Sequence, residues 1–335
     1  MAERNSFAGK GVLITGGSGS FGQALVAELV RRDAKVVRVF DHDENGLWEL
    51  QTRFRGEPRV RLLLGDVRDL PRLRMACTDI DVVIHAAALK HVHSSEYNPF
   101  EAVKTNVLGT QNVIDAALDA NAERVVLTST DKAANPTSVM GTTKLLAEKL
   151  IVAANHYRGR HRTVFSAVRF GNVLGSRGSA PLLFREQALA GKPITLTDPR
   201  MTRFVMTMDD AVRLVLQAVA MTRGGETFIL KMNSIRMADV AAVFGQHLGA
   251  AKVSRTGMKP GEKLYEELVT EEELPRAYEM PDMYVVLSSL PELWPAAEKA
   301  YPGAKPARKV PYRSDRVRKM SRPEIARLMK REGLL

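Results

Sequence analysis

Along the first half of the chain, short apolar runs alternate with segments of helical period. Gly11–Thr15, Lys35–Phe40, Arg59–Leu64, Asp81–Ala86, Arg124–Ser129 and Thr163–Phe170 are rich in Val, Ile, Leu and Phe and bounded by turn residues, which predicts strands. Between them, Gly22–Arg32, Glu44–Phe54, Phe100–Ala120 and Thr142–Tyr157 carry the pattern of helices. Strands that are apolar almost throughout, each bordered by a helix, predict a parallel sheet covered on both faces: an α/β, doubly wound architecture. After Phe170 the rhythm loosens into Gly/Pro-rich loops and shorter helices, such as Asp209–Met221 and Met237–Leu248. The expected division is a sheet domain over residues 1–170 and a smaller lobe over residues 171–335, packed on the carboxyl edge of the sheet, with elements free to cross over.

Composition narrows the class. The 335 residues are 45% hydrophobic and 26% charged, which excludes disordered and collagen-like chains and provides a full core. A single cysteine, Cys77, excludes an internal disulfide and any multi-cysteine metal site. No run approaches the roughly 18 apolar residues of a membrane span, and Met1–Ser6 leads into no apolar leader segment. The expectation is a cytoplasmic protein. The net charge of +11 is concentrated at the end, where Lys305–Leu335 holds eleven Lys/Arg against three acidic residues. With no zinc-knuckle spacing and no aromatic-interleaved basic stretch, this tail reads as a solvated helix face, and no nucleic-acid partner is expected.

The strongest local signal is Thr15-Gly16-Gly17-Ser18-Gly19-Ser20-Phe21-Gly22, directly after the first strand and opening the first helix. Gly16 and Gly19 allow a tight turn and a close approach to a pyrophosphate, Gly22 allows close helix–strand packing, and the helix N-terminus supplies oriented N–H groups. Asp41 follows Gly22 by 19 residues at the end of the second strand, where a carboxylate accepts bonds from both adenosine ribose hydroxyls and repels a 2′-phosphate. A Rossmann-type fold binding NAD rather than NADP follows. Asp66 and Val67 end the third strand, and two readings stay open there: Asp66 meets the adenine amino group, or the segment is a turn with Asp69 capping a helix. Ala86 and Ala87 leave room for the cofactor after the fourth strand. His85, His91 and His93 lack the carboxylate or cysteine partners of a metal site, so no metal is expected. The fifth strand ends Ser129-Thr130-Asp131-Lys132, placing a carboxyl and an ammonium group at the strand end over the expected nicotinamide, where each tunes the other's protonation.

Together the TGxxGxxG turn, the Ser/Thr strand end and Lys144 resemble the extended short-chain dehydrogenase/reductases. In most members a Tyr precedes that Lys by four residues and acts as base; here the position is Met140. A closer resemblance is to the nucleotide-diphospho-N-acetylglucosamine 4,6-dehydratases of the polysaccharide-biosynthesis group. It rests on Ala87–Val92 (AALKHV), Thr105–Thr110 (TNVLGT), Ser129–Pro136 (STDKAANP), Arg169–Ser179 (RFGNVLGSRGS), Pro193–Asp198 (PITLTD), Met201–Phe204 (MTRF) and Lys259–Leu268 (KPGEKLYEEL). The match covers roughly residues 9–275. Met140, with Asp41-His42-Asp43-Glu44, is similar to the branch that retains configuration at C5; many of that branch are large and membrane-anchored, and this chain looks like the catalytic domain alone.

The resemblance implies a site. Lys144 would bind the nicotinamide ribose, and Ser20, Phe21, His42, Lys90 and Ser129 would join Thr15 and the glycines around the cofactor. Lys132 would take the C5 proton, Asp131 would protonate the leaving 6-hydroxyl, and Thr130 would bond the C4 oxygen. In the second lobe Asn172, Arg203 and Lys259 would hold a diphosphate, Thr195 and Thr197 the base pocket and Glu262 the nucleotide ribose, with Lys90 and Ser179 also facing substrate. The implied substrate is a nucleotide-diphospho-N-acetylhexosamine, UDP-N-acetylglucosamine first, and the implied assembly a homo-oligomer. The alternatives are an inverting dehydratase, a sugar-nucleotide epimerase on the same scaffold, and an NAD-binding regulator without activity.

Overall fold

The computed structural model describes residues 6–249, 252–294 and 297–335; the leader reading of residues 1–5 lies outside them. The six expected strands form as β1 (Gly11–Thr15), β2 (Val36–Asp41), β3 (Val60–Leu64), β4 (Val82–His85), β5 (Arg124–Thr130) and β6 (Val164–Phe170). They lie parallel in the order β3-β2-β1-β4-β5-β6, so the chain order reverses between β1 and β4. Ligands bind at such a reversal, beyond the carboxyl ends of the strands.

Helices α1 (Ser20–Arg31), α2 (Glu44–Arg53) and α3 (Leu70–Cys77) follow the first three strands, and α6 (Gly109–Asp119) and α7 (Val139–Tyr157) precede β5 and β6. The alternation within β1 explains the two layers. Val12 and Ile14 join Leu25 and Leu29 of α1 and Leu50 of α2 on one face. Leu13 joins Leu73 of α3, Val113 of α6 and Ile151 of α7 on the other. A strand buried on both sides needs apolar residues at every position, which is why the runs were continuous.

The expected helix over Phe100–Ala120 is broken into three parts. After α4 (Val92–Tyr97), α5 (Pro99–Ala102) runs into a π-helical turn, Val103–Leu108, before α6. Asn106 on that turn is buried; its side chain accepts from Leu89 N and donates to Leu89 O and Thr143 Oγ1. The extra residue per turn aims Asn106 at the loop after β4, a tertiary requirement that helical periodicity does not encode.

Beyond β6 come β7 (Asn172–Val173), α8 (Ala180–Leu189), β8 (Ile194–Leu196), β9 (Thr202–Met206), α9 (Met208–Met221), β10 (Thr227–Leu230), β11 (Asn233–Arg236), α10 (Met237–Leu248) and β12 (Val253–Arg255). The remaining elements are β13 (Glu267–Val269), β14 (Ala277–Glu279), β15 (Met283–Val286), α11 (Ala297–Ala300), β16 (Lys305–Pro306), β17 (Tyr312–Arg313) and α12 (Arg322–Arg331). These residues serve two places. β10 adds parallel to β6, and β15, β14 and β16 extend the same sheet antiparallel, while α9 packs on α1. The second lobe proper is built from α8, α10, α12 and the small sheets around β8, β9 and β11, over its own core of Phe184, Ile194, Phe244, Ile325 and Met329. The basic tail is thus a folded helix whose Ile325 and Met329 are buried against α10.

Candidate active site

A cleft of about 1500 Å³ runs between the strand ends and the second lobe. Its floor at one end is the turn from β1 to α1. Gly16 has a φ of +69°, and a Cβ there would sit 2.6 Å from the backbone of Ala87. A Cβ on Gly22 would lie 2.4 Å from Gly17 Cα, so the helix rests directly on the turn. No side chain caps α1 and no acidic residue occupies its first turn. Ser20, Phe21 and Gly22 line the cleft with that uncapped N-terminus, a cradle suited to a pyrophosphate.

Asp41 is buried and lines the cleft, but much of its acceptor capacity is already used. Its Oδ2 accepts from Ser18 N at 2.9 Å and Ser18 Oγ at 2.6 Å, and its Oδ1 accepts from Asp43 N at 3.1 Å. A carboxylate offers about four acceptor sites, and three bonds are already accepted from within the protein, which leaves less capacity for ribose hydroxyls than the sequence suggested. Asp43 caps α2 through Gly46 N, and His42 stands exposed 3.5 Å from Asp41. Asp66 lines the cleft as a partner of Arg68 (2.6 Å), and Asp69 caps α3 through Arg72 N. The helix-capping turn left open for this segment is therefore present, and Asp66 itself is engaged by Arg68. Val67, Ala86, Ala87, Lys90 and Ser129 also line the cleft.

Thr15 does not. It is fully buried, with Oγ1 2.6 Å from His85 Nδ1, and that imidazole reaches Thr110 Oγ1 at 3.1 Å. The cofactor contact expected of Thr15 is corrected to a brace between β1 and β4. Burial, with nearby Lys144, pushes His85 down to about 3, so it is a neutral hydrogen-bonding ring. Among the described residues no group of three or more His, Cys, Asp or Glu side chains could hold a metal ion.

The chemical end of the cleft is built where β5 turns into the short helical turn Asp131–Ala133. Thr130, Lys132, Met140 and Lys144 line it. Asp131 lies behind them, 0% exposed; its Oδ1 accepts from Thr130 Oγ1 and from Lys132 Nζ, both at 2.9 Å. The direct contact between Asp131 and a leaving group expected from sequence is corrected: the carboxylate does not line the cleft and meets it only through its hydrogen bonds with Thr130 and Lys132. Met140, at the position of the usual Tyr, is buried and offers no proton. Lys144 donates to Thr128 O at 2.7 Å; burial pulls its ammonium down to about 8, against the opposing charge of Glu148.

Sequence reasoning missed Glu266. It lies just before β13, lines the cleft, is 2% exposed, and places Oε1 3.6 Å from Lys132 Nζ and 3.5 Å from Arg203 Nε. Burial would depress the Lys132 ammonium, but the carboxylates of Asp131 and Glu266 more than offset it and hold the group above the ordinary lysine range. Burial raises the Glu266 carboxyl, with the charge of Asp131 adding to it, against Lys132, Arg203 and Lys263. Asp131 Oδ2 and Glu266 Oε2 are buried without a hydrogen-bond partner among the described residues.

The second-lobe candidates converge. Asn172, Ser179, Thr195, Thr197, Arg203, Lys259 and Glu262 all line the same cleft. Ser179 Oγ is buried and has no hydrogen-bond partner among the described residues. Thr195 is held by Gln187, and Glu262 accepts from Lys259 N at 2.8 Å. Arg203 donates to Thr202 O (2.8 Å) and Lys263 O (3.0 Å), so its charge is fixed in place. The loop between β7 and α8 crosses back as a strap. Arg177 reaches Glu49 at 3.0 Å and Asp43 at 3.8 Å, its N–H meets Ser20 Oγ at 3.4 Å, and Lys90 Nζ donates to Arg177 O at 2.7 Å.

Parallel sheet, uncapped glycine turn, and the Thr130, Lys132 and Lys144 wall define an extended short-chain dehydrogenase/reductase. The chain belongs to the polysaccharide biosynthesis protein family, whose pattern matches residues 12–288. An uncharacterized membrane protein of Methanocaldococcus jannaschii is 50% identical over 84% of this chain and 87% of its own length. A UDP-N-acetylglucosamine 4,6-dehydratase (inverting) from Campylobacter jejuni is 40% identical over 85% of this chain and 84% of its own. A UDP-glucose 4-epimerase from Rickettsia canadensis is 40% identical over 83% of each. Among solved structures, Pen from Bacillus thuringiensis superposes with a TM-score of 0.93 at 44% identity, covering 98% of this chain and 99% of that one. The dTDP-glucose 4,6-dehydratase DesIV from Streptomyces venezuelae, solved with NAD bound, gives 0.69 at 26%, covering 76% and 86%. No helix among the described residues is long and apolar enough to cross a membrane.

Proposed function

We propose that the chain is an NAD-dependent nucleotide-sugar 4,6-dehydratase acting on UDP-N-acetylglucosamine and retaining configuration at C5. The observation that carries this reading is the Thr130–Asp131–Lys132 turn at the end of β5, one acid–base assembly facing a cleft shared by the glycine turn and the second-lobe donors. The relatives named as 4,6-dehydratases support the reaction class.

Residues of the glycine turn, Asp41, Lys90 and Lys144 would hold NAD, which when bound supplies reversible hydride transfer, oxidising C4 and later reducing C6. A C4 ketone makes the C5 proton acidic enough to remove, which is the reason an elimination uses this scaffold. Thr130 Oγ1 already donates to Asp131 Oδ1, so a C4 hydroxyl donating to Thr130 passes its proton to Asp131 by one relay. That relay replaces the tyrosine absent at Met140. Asp131 then holds the proton needed by the departing 6-hydroxyl. Lys132 takes the C5 proton and returns it. One group on one side of the ring removes and restores the proton, which is what retention requires. The fixed guanidinium of Arg203, with Asn172 and Lys259, would bind the diphosphate.

Incubation with UDP-N-acetylglucosamine should yield a product lighter by one water, read by mass spectrometry. A changed sugar of unchanged mass would establish the epimerase instead, and no reaction would leave an NAD-binding regulator. The Lys132 cluster favours elimination, because epimerisation needs the ketone but no acid for a leaving hydroxyl.

Coupling constants of the fresh product should show the D-xylo 4-ketose; an L-arabino product would overturn retention. Met140→Leu should keep turnover within a few fold, since the thioether takes no part. NADP should bind more weakly than NAD, because Asp41, Asp43 and Glu44 surround the adenosine end and repel a 2′-phosphate. Equal affinities in a titration of cofactor-free protein would refute that selectivity.

A further inference from the structure

Lys132 poses a problem for the mechanism just described, on which this inference rests. An ammonium held between two carboxylates is an acid, and it abstracts no proton until it has lost one. Asp131 accepts from Lys132 Nζ at 2.9 Å, but in that mechanism it already carries the C4 hydroxyl proton delivered by Thr130 and has no room for a second. Glu266 is the other carboxylate in reach. It enters from the second lobe, 3.6 Å from Lys132 Nζ, and shares the cleft wall with it.

We propose that Glu266 is the proton partner of Lys132: it takes a proton from the ammonium before C5–H abstraction and gives it back after the product forms. Starting from the bound 4-ketone, one Nζ–H bond breaks and an O–H bond forms on Glu266. The resulting amine takes the C5 proton. The C5–H electron pair becomes the C5–C6 double bond as the C6–O bond breaks, and the leaving oxygen departs as water with the proton stored on Asp131, handed over through the Thr130 hydroxyl. When C6 has been reduced, Lys132 returns its proton to C5 and recovers the other from Glu266. Every proton taken is returned, and the site ends as it began.

The surroundings of Glu266 suit this duty. Lys132 and Asp131 face it from the end of β5, Arg203 from β9 and Lys263 from its own loop. Its backbone N–H is fixed by Ser314 Oγ (2.9 Å) and its backbone carbonyl by Ser314 N (2.9 Å). Glu267, next along the chain, turns away to Asn135. Burial and the charge of Asp131 favour the neutral carboxyl, against the pull of Lys132, Arg203 and Lys263, and the carboxyl is raised on balance. Glu266 acts through Lys132 and is therefore a positioning and relay residue. Its signature lies in pH dependence, which a merely structural role would not give.

Glu266→Gln keeps the shape and removes the proton acceptor. C4 oxidation should survive, seen as an NADH signal on mixing with UDP-N-acetylglucosamine. Elimination should fall by about 10²-fold at neutral pH, the scale of a positioned acid or base. It should then climb about tenfold per pH unit towards alkali, as hydroxide replaces Glu266 in deprotonating Lys132, where the wild type is flat. Lys132→Ala should show no such recovery. Should the Gln variant fail to fold, Glu266→Asp, which retains a carboxylate, must keep the flat wild-type profile. Elimination by Glu266→Gln within twofold of wild type, a loss equal at every pH, or an alkaline climb in Glu266→Asp would each overturn the proposal while leaving the dehydratase reading intact. A wild-type chain that neither reduces NAD nor loses water from the substrate would overturn both.

Discussion

Asp131→Asn and Lys132→Ala should each lower turnover by about 10²-fold or more, the usual weight of a positioned acid or base. Asn at 131 still accepts from Thr130 and Lys132 but stores no proton, so geometry is kept and chemistry lost. Ala at 132 removes the proposed C5 base and leaves Asp131 and Glu266, both buried, without their shared cation. NAD affinity should change little in either variant, because the glycine turn, Asp41 and Lys144 are untouched. Initial rates by mass spectrometry and a separate NAD titration separate the two effects. Near wild-type turnover would remove that residue from the mechanism, and a matching loss of NAD binding would point to damage of the fold.

Arg169→Met should cost about 3–5 kcal/mol of stability, the range for breaking a buried ion pair from one side. Arg169 is 2% exposed. It donates to Glu148 (2.7 Å), to both oxygens of Glu273 (2.8 and 2.7 Å) and to Leu268 O (2.9 Å). Removing it strands two buried carboxylates. Burial would raise Glu273, but Arg169 and the N–H of Thr270 pull it down to about 2. A depressed acid stabilises the fold above its ordinary pKa near 4.5, and that contribution is lost as pH falls from there through about 2. In the variant the sign reverses, since acid neutralises the stranded carboxylates. The gap between the two proteins in urea unfolding should therefore be wide at pH 7 and narrower at pH 4. A constant gap would contradict the assignment. Glu148 lies one turn beyond Lys144 on α7 and its charge acts on that lysine, so the same variant should also disturb Lys144.

The sheet half of the fold was legible because its physics is local. Strands buried on both faces must be apolar throughout, and β1 to β6 fall within two residues of their expected bounds. The antiparallel additions β14 to β16 were not legible. They are two to four residues long, and the hairpin of β14 and β15 joins the sheet through β10, far off in sequence. The candidate cleft residues of both lobes do converge, because strand ends and glycine turns carry their own punctuation. What the sequence could not convey was depth. Asp131 and Thr15 look like cleft residues by position, yet their side chains face inward. Conversely, Glu266 and Glu267 are adjacent glutamates, and only the pairing of β13 with β17 settles which one turns to Lys132. The alternation in Tyr265-Glu266-Glu267-Leu268 was the available signal, and it does not by itself choose a face.

The strap formed by Arg177 and Lys90 bears on the protein's independence from its surroundings. Its ion pairs are exposed and worth only about 0–1 kcal/mol each. It borders the glycine turn proposed to hold NAD, whose oxidation state the proposed reaction restores in every cycle. Such an enzyme neither draws on nor feeds the cell's pool of reducing equivalents. Its output follows the supply of sugar nucleotide alone, and starvation or anaerobiosis, which swing the pool, would leave its rate unchanged.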